Sequence, residues 1–238
     1  MTWSILARDT EGRLGIAIAS RFFAVGALCM HTKGGVGALC TQALLNPLYG
    51  PRGLALLAEG AGAADVVARL VGSDPGAAQR QLHVLPLRGE PAVHTGAECI
   101  DWRGQWQHDD VSIAGNMLAG PRVIEAAAEA WLASAGQALA ERLIAAMVAA
   151  QAAGGDKRGR QAAALRIHGL EEYPELDLRV DDHAQPIAEL ARLYEKSLER
   201  FQPFIACLAR HDNPAGELDR ERIEAAIERF HARRRAHG

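Results

Sequence analysis

The densest polar constellation in the chain is Gly154-Gly155-Asp156-Lys157-Arg158-Gly159-Arg160-Gln161. Its three glycines let the backbone take positive φ and come close to a ligand. Arg158 carries a planar fork that can clamp a carboxylate, and Asp156 can anchor an amine or orient that arginine. The same composition also suits an ordinary helix-to-strand loop, glycine-rich for geometry and charged for solubility. Gly115-Asn116 offers amide N–H groups to a developing oxyanion, and reads equally well as a turn asparagine. At the start of the chain, Thr2 and Ser4 fall on one face of an alternating stretch. A hydroxyl there is a nucleophile only if a base takes its proton; otherwise Thr2 is a β-favouring residue beginning a strand. Gln42, Asn46 and Tyr49 follow a predicted strand, where they can line a pocket.

Metal chemistry has less support. His108-Asp109-Asp110 and Asp181-Asp182-His183 set candidate ligands side by side. Neighbouring strand residues point to opposite faces, and neither segment has the spaced pair that a zinc or iron site uses. No metal and no cofactor is expected, and Asp182 suits the N-cap of a helix near Ala184. The four cysteines lack both C-x-x-C spacing and the density of a disulfide scaffold, which reads as reduced, buried thiols in a cytoplasm. A formal charge of -3 gives no pull toward nucleic acid or membrane. Arg233-Arg234-Arg235 reads as a solvated helix end. No apolar run approaches the ~20 residues of a membrane span, and the opening residues lack the pattern of a signal peptide.

At 238 residues, 49% apolar and 23% charged, the chain fits one large globular domain with a modest helical appendage. Trp3, Ile5 and Ala7 alternate with Thr2, Ser4 and Leu6, and Leu14, Ile16 and Ile18 resume the pattern after a polar turn, predicting a hairpin. A second strand pair is predicted over 26–31 and 36–41. Small residues in these strands imply that both faces are covered. Residues 46–51, with two prolines and a glycine, read as a loop. Helical spacing follows at 54–59 and 64–71, then a hairpin at 82–87 and 92–95, and a strand at 112–118. Helices are predicted at 122–133 and 138–150, strands at 162–167 and 176–180, and helices at 184–200 and 217–235. The order lacks strict βαβα alternation and a G-x-G-x-x-G after the first strand, so antiparallel sheets covered by helices are expected.

Several segments together carry a resemblance. They are Thr2-Trp3-Ser4-Ile5 with Ala7-Arg8-Asp9, the run from Gly15 to Gly26, and Gly35-Val36-Gly37-Ala38 with Thr41-Gln42. Asn46-Pro47, Tyr49-Gly50, Arg80-Gln81, His94-Thr95-Gly96, Gly115-Asn116, the block 154–161 and Val180-Asp181-Asp182-His183 complete the set. In this the chain resembles the bacterial family catalogued as domain of unknown function 1028, over residues 2–200 and without large gaps. The resemblance implies an α+β fold of the N-terminal-nucleophile (Ntn) hydrolase type, a four-layer αββα sandwich of antiparallel sheets. That domain is expected over 1–205, with a helical extension over 206–238. Where the family is expected to carry serine this chain has Ala162, so a hydroxyl is missing there.

Under the same resemblance, Thr2 becomes the candidate nucleophile. Its α-amine, with an ordinary pKa of about 8, is a base suited to neutral pH. Threonine is small enough for Met1 to be trimmed, and Thr2 acts only if Met1 is gone. Asn116 is then expected to hold the oxyanion, while Ser4, Gln42, Asp156 and Arg158 bind substrate. The reading is a cytoplasmic amidohydrolase of a small, charged amide, a homo-oligomer that engages neither nucleic acid nor membrane. The alternative is a non-catalytic small-molecule-binding or assembly protein on the same fold, with Met1 retained.

Overall fold

The computed structural model describes the backbone of residues 2–237 and the side chains of residues 2–236. In chain order its strands are β1 (Thr2–Arg8), β2 (Leu14–Ser20), β3 (Met30–Lys33), β4 (Gly37–Ala43), β5 (Arg80–Pro86), β6 (Ala92–Thr95), β7 (Gly104–His108), β8 (Val111–Asn116), β9 (Ala162–His168) and β10 (Leu176–Val180). They form a six-stranded sheet in the order β10-β9-β2-β1-β8-β7 and a four-stranded sheet in the order β3-β4-β5-β6. Every pairing is antiparallel. The helices are α1 (Val25–Cys29), α2 (Tyr49–Ala58), α3 (Ala63–Gly72), α4 (Arg122–Ala133), α5 (Leu139–Ala152), α6 (Pro186–Glu199), α7 (Phe201–Ile205) and α8 (Arg220–His237). The chain is α+β, as its sequence pattern predicts.

β1 and β2 carry the alternation expected of them, and both are buried almost throughout. Register sets Thr2 opposite Ser20, Ser4 opposite Ile18 and Leu6 opposite Ile16, so these side chains share one face. That face meets Ala38, Cys40 and Leu85 of the smaller sheet in a common apolar cluster. Beyond the smaller sheet, Leu39, Leu82 and Val84 pack with Tyr49 of α2 and Val66 and Leu70 of α3. α5 packs on β1, β2 and β9, while α4 packs on β7 and β8. Each fully buried Leu or Ile in these layers contributes roughly 1.5–3 kcal/mol of transfer free energy. The small residues serve the close approach: a Cβ on Gly15 would lie 2.6 Å from Leu143 Cδ1.

Three local expectations are corrected, and one strand was not expected. The strand predicted from Gly26 begins only at Met30, because residues 25–29 form α1, entered through Ala24 at φ 52°. Gly26 there presses on β9, where a Cβ would lie 2.5 Å from that of Ala164. α2 takes in Tyr49, Gly50 and Pro51, which read as loop; Pro51 falls in the first turn, where a backbone N–H has no intrahelical acceptor to lose. β7 is absent from the sequence prediction because it is a sheet edge whose residues are half-buried or exposed, leaving no apolar alternation. α6 starts at Pro186, so Asp182 lies too early to cap it; its Oδ1 accepts from Gln161 Nε2 at 3.2 Å.

The chain groups into two compact units, one ending at Leu190 and the other beginning at Ala191. In the second unit α7 packs on α8, and Arg200 pairs with Glu224 at 2.5 Å. Among the described residues no helix is long and apolar enough to cross a membrane. Cys29, Cys40 and Cys99 are buried free thiols, and Cys207 is a half-buried one.

Candidate functional site

Thr2 begins one of the two central strands of its sheet, with Ser20 opposite on one side and Asn116 opposite on the other. Its Oγ1 donates to Ser20 Oγ at 3.1 Å. Where these strands end, a cleft of about 320 Å³ opens, and Thr2, Gln42, Asn116 and Arg158 all line it. Its remaining wall is largely apolar, with Phe22, Leu44 and Ile100 at the mouth, 48%, 57% and 55% exposed. Two lining residues other than glycine take left-handed backbone, Ala43 at φ 69° and Met117 at φ 53°. Such conformations persist where the surroundings fix them. Here the Leu44 N–H donates to Gln79 O at 3.1 Å and the Met117 N–H to Ile100 O at 2.8 Å. Burial pushes the thiol of Cys29, in the same wall, up to about 12, which keeps it protonated.

The glycine-rich loop enters the site through a buried carboxylate. Asp156 Oδ2 accepts the Arg21 N–H at 2.9 Å, and Oδ1 accepts the Arg158 N–H at 2.8 Å. The Arg158 guanidinium reaches the same carboxylate, with Nη2 at 3.2 Å from Oδ2. Asp156 is therefore behind the cleft, tying the loop to the end of β2 and orienting Arg158. The Arg158 side chain remains 40% exposed at the cleft. Gly155, at φ 53°, has no room for a side chain, since a Cβ would lie 2.9 Å from the Trp3 ring.

Ser4 lies one step deeper than Thr2, fully buried and away from the cleft lining. Its Oγ is 2.7 Å from Gln42 Oε1 and 2.8 Å from His83 Nε2. His83 Nδ1 is 3.0 Å from Ser112 Oγ. Gln42 Nε2 donates to Gln81 Oε1 at 2.8 Å, and Asn116 Nδ2 donates to the same oxygen at 3.0 Å. A hydrogen-bonded network thus runs between the sheets from Ser112 to the cleft. Burial pushes His83 down to about 3, so its imidazole is neutral. Gln81 and His83 are functional candidates that the sequence reading misses. Their signal is the alternation of β5, where Leu82 and Val84 face the helices and Gln81 and His83 face the other sheet.

Asn46 and Tyr49 turn to Asp74 and stand outside the cleft lining. Asn46 Nδ2 and the Tyr49 hydroxyl donate to Asp74 Oδ2 at 3.0 and 2.8 Å. With the Gly76 N–H and Arg80, they hold the Asp74 carboxyl well below the usual carboxylate range. The cluster anchors the segment that follows β4.

An α+β chain with two antiparallel sheets and a cleft where Thr2, Gln42, Asn116 and Arg158 meet an otherwise largely apolar wall is the class these features define. Residues 2–190 match the model of a family of unknown function, DUF1028, and the chain belongs to that family. The crystal structure of protein SPO2555 from Silicibacter pomeroyi, a DUF1028 protein, is similar at 31% identity and a TM-score of 0.84, covering 92% of this chain and 96% of that one. Anbu (ancestral beta-subunit) from Yersinia bercovieri matches at 11% identity and a TM-score of 0.39, over 82% of this chain and 94% of that one. No curated protein matches the chain.

Proposed function

We propose that the chain is an amidohydrolase of the Ntn type, its two sheets and their covering helices forming the αββα sandwich of that class. The observation that carries this reading is the Thr2 hydroxyl at the wall of the cleft, flanked by Ser20 and Asn116, with Arg158 in the same lining. Once Met1 is removed, the Thr2 α-amine takes the Oγ1 proton as Oγ1 bonds to the amide carbonyl carbon. Asn116 donates to the resulting oxyanion. The C–N bond then breaks, the leaving amine takes the proton back, and water hydrolyses the ester on Thr2. Arg158 matches a carboxylate on the substrate, and Phe22, Leu44 and Ile100 match an apolar arm. The substrate class is a small, carboxylate-bearing amide with an apolar side, and the free thiols suit a reducing cytoplasm.

The test combines N-terminal sequencing with hydrolysis of a panel of N-acyl amino acids. Thr2 is expected as the first residue, and Thr2→Ala is expected to abolish hydrolysis without loss of the fold. Full activity in that variant would sink the proposal. A binding protein with Met1 retained is the second reading, favoured by the way Asp156 fixes Arg158 independently of Thr2. It expects ligand-induced thermal stabilisation that survives Thr2→Ala and vanishes in Arg158→Ala.

A further inference from the structure

Two glutamines between the sheets have only one possible orientation, because Gln42 has one backbone carbonyl for a neighbour and Gln81 has two. One side-chain atom of Gln42 lies 3.2 Å from Ala114 O. One of Gln81 lies 3.3 Å from Gly104 O and 3.0 Å from Gly115 O. A carbonyl oxygen only accepts, so these atoms are the amide nitrogens. The oxygens follow. Gln81 Oε1 accepts from Gln42 Nε2 at 2.8 Å, and the Asn116 atom 3.0 Å away must be its nitrogen. Gln42 Oε1 accepts the single Ser4 hydroxyl proton at 2.7 Å. Ser4 Oγ, 2.8 Å from His83 Nε2, therefore accepts from that ring nitrogen. His83 Nδ1, left without a proton, accepts from Ser112 Oγ at 3.0 Å.

All donors in this relay run toward one atom, Gln81 Oε1. We propose that Gln81 is the positioning residue of the cleft: it holds Asn116 with the amide nitrogen turned to the relay, and one Nδ2 hydrogen is left for an oxygen of the substrate. The role rests on the reading of Asn116 as the oxyanion donor. Without Gln81 the Asn116 amide can rotate and offer Oδ1, an acceptor that repels an oxyanion. The carbonyls of Gly104 and Gly115 prevent Gln81 itself from rotating, since a reversed amide would set oxygen against oxygen.

Nitrogen-15 NMR of the full chain tests the relay directly. The expected result is a His83 ring with its proton on Nε2 and a bare Nδ1. The opposite tautomer would require Ser4 to donate to His83 and to leave Gln42, which overturns the relay. The positioning role is read with a β-lactone as electrophile. Its acyl–oxygen bond breaks, an ester forms on Thr2 Oγ1, and the hydroxyl proton ends on the released alkoxide, so the mass rises by one whole lactone. In Gln81→Met the maximal labelling rate is expected to fall about 10²-fold, with the half-saturating lactone concentration unchanged. An unchanged rate overturns the proposal. Should Gln81→Met not fold, the wild-type Asn116 side-chain amide serves instead: one Nδ2 hydrogen should exchange slowly with D2O and the other fast, and two fast hydrogens overturn it. A wild-type chain that takes no label, or a label that survives Thr2→Ala, overturns the nucleophile reading and Gln81's part in catalysis with it. The His83 tautomer still reports on the relay alone, so the two failures are distinguishable.

Discussion

The Asp156 carboxylate and the Arg21 backbone N–H, 135 positions apart in the chain, meet at 2.9 Å. That bond fastens the loop after α5 to the end of β2, directly beside the strand that begins with Thr2. The same carboxylate takes the Arg158 N–H and guanidinium, so one buried side chain sets both the loop path and the direction of the cation.

Removing that side chain is expected to cost more than removing its visible partner. Asp156→Ala takes the acceptor from two backbone N–H groups, those of Arg21 and Arg158, and should lower stability by about 2–4 kcal/mol. Arg158→Ala leaves both backbone donors bound and should cost about 1 kcal/mol. Urea unfolding midpoints decide the order, and a larger loss in Arg158→Ala contradicts the anchoring role.

The neutral His83 makes folding pH-dependent. Its folded pKa of about 3 lies below the ordinary value of about 6.5, so between these limits the unfolded chain binds more protons than the folded one. Stability from this group is complete above pH ~6.5 and falls as pH drops toward 3, by up to about 1.4 kcal/mol per pH unit. His31 and His168 are also held low by burial and add to the slope. Unfolding of wild type and His83→Gln at pH 7 and pH 5 should give a smaller pH difference in the variant. Equal slopes would show that His83 binds its proton alike in the folded and unfolded chain.

Gly26 and Ala164 make a contact with no slack, as a Cβ on Gly26 would sit 2.5 Å from the Ala164 Cβ. Gly26→Ala should therefore lose about 1–3 kcal/mol through overpacking. Adding Ala164→Gly should return part of that loss, although glycine in a strand is itself unfavourable. A double-mutant cycle reads the coupling, and strictly additive losses would show that α1 moves away freely.

Much of the fold was legible because burial writes itself into alternation and spacing. β1 and β2 carry that pattern in full, and β6 and β10 fall where turn residues bracket short apolar runs. β7 left no such trace, being an edge strand half open to water. In the site, Thr2, Gln42, Asn116 and Arg158 come together at one cleft, although nothing in their spacing requires it. The alternation that marks Gln81 and His83 misleads for a specific reason. A polar residue alternating with leucine normally marks the solvent side of a sheet, and only the presence of a second sheet turns that side inward.

The exposed ring of Phe22, Leu44 and Ile100 has a practical meaning for anyone handling the protein. A greasy rim around a cleft of about 320 Å³ is a binding place for environment-sensitive fluorescent dyes such as ANS. The native chain should glow in such a dye before any heating, so dye-based melting curves will start from a raised baseline. The same property is useful: loss of that initial glow, titrated against candidate amides at constant temperature, screens for occupants of the cleft without a known reaction.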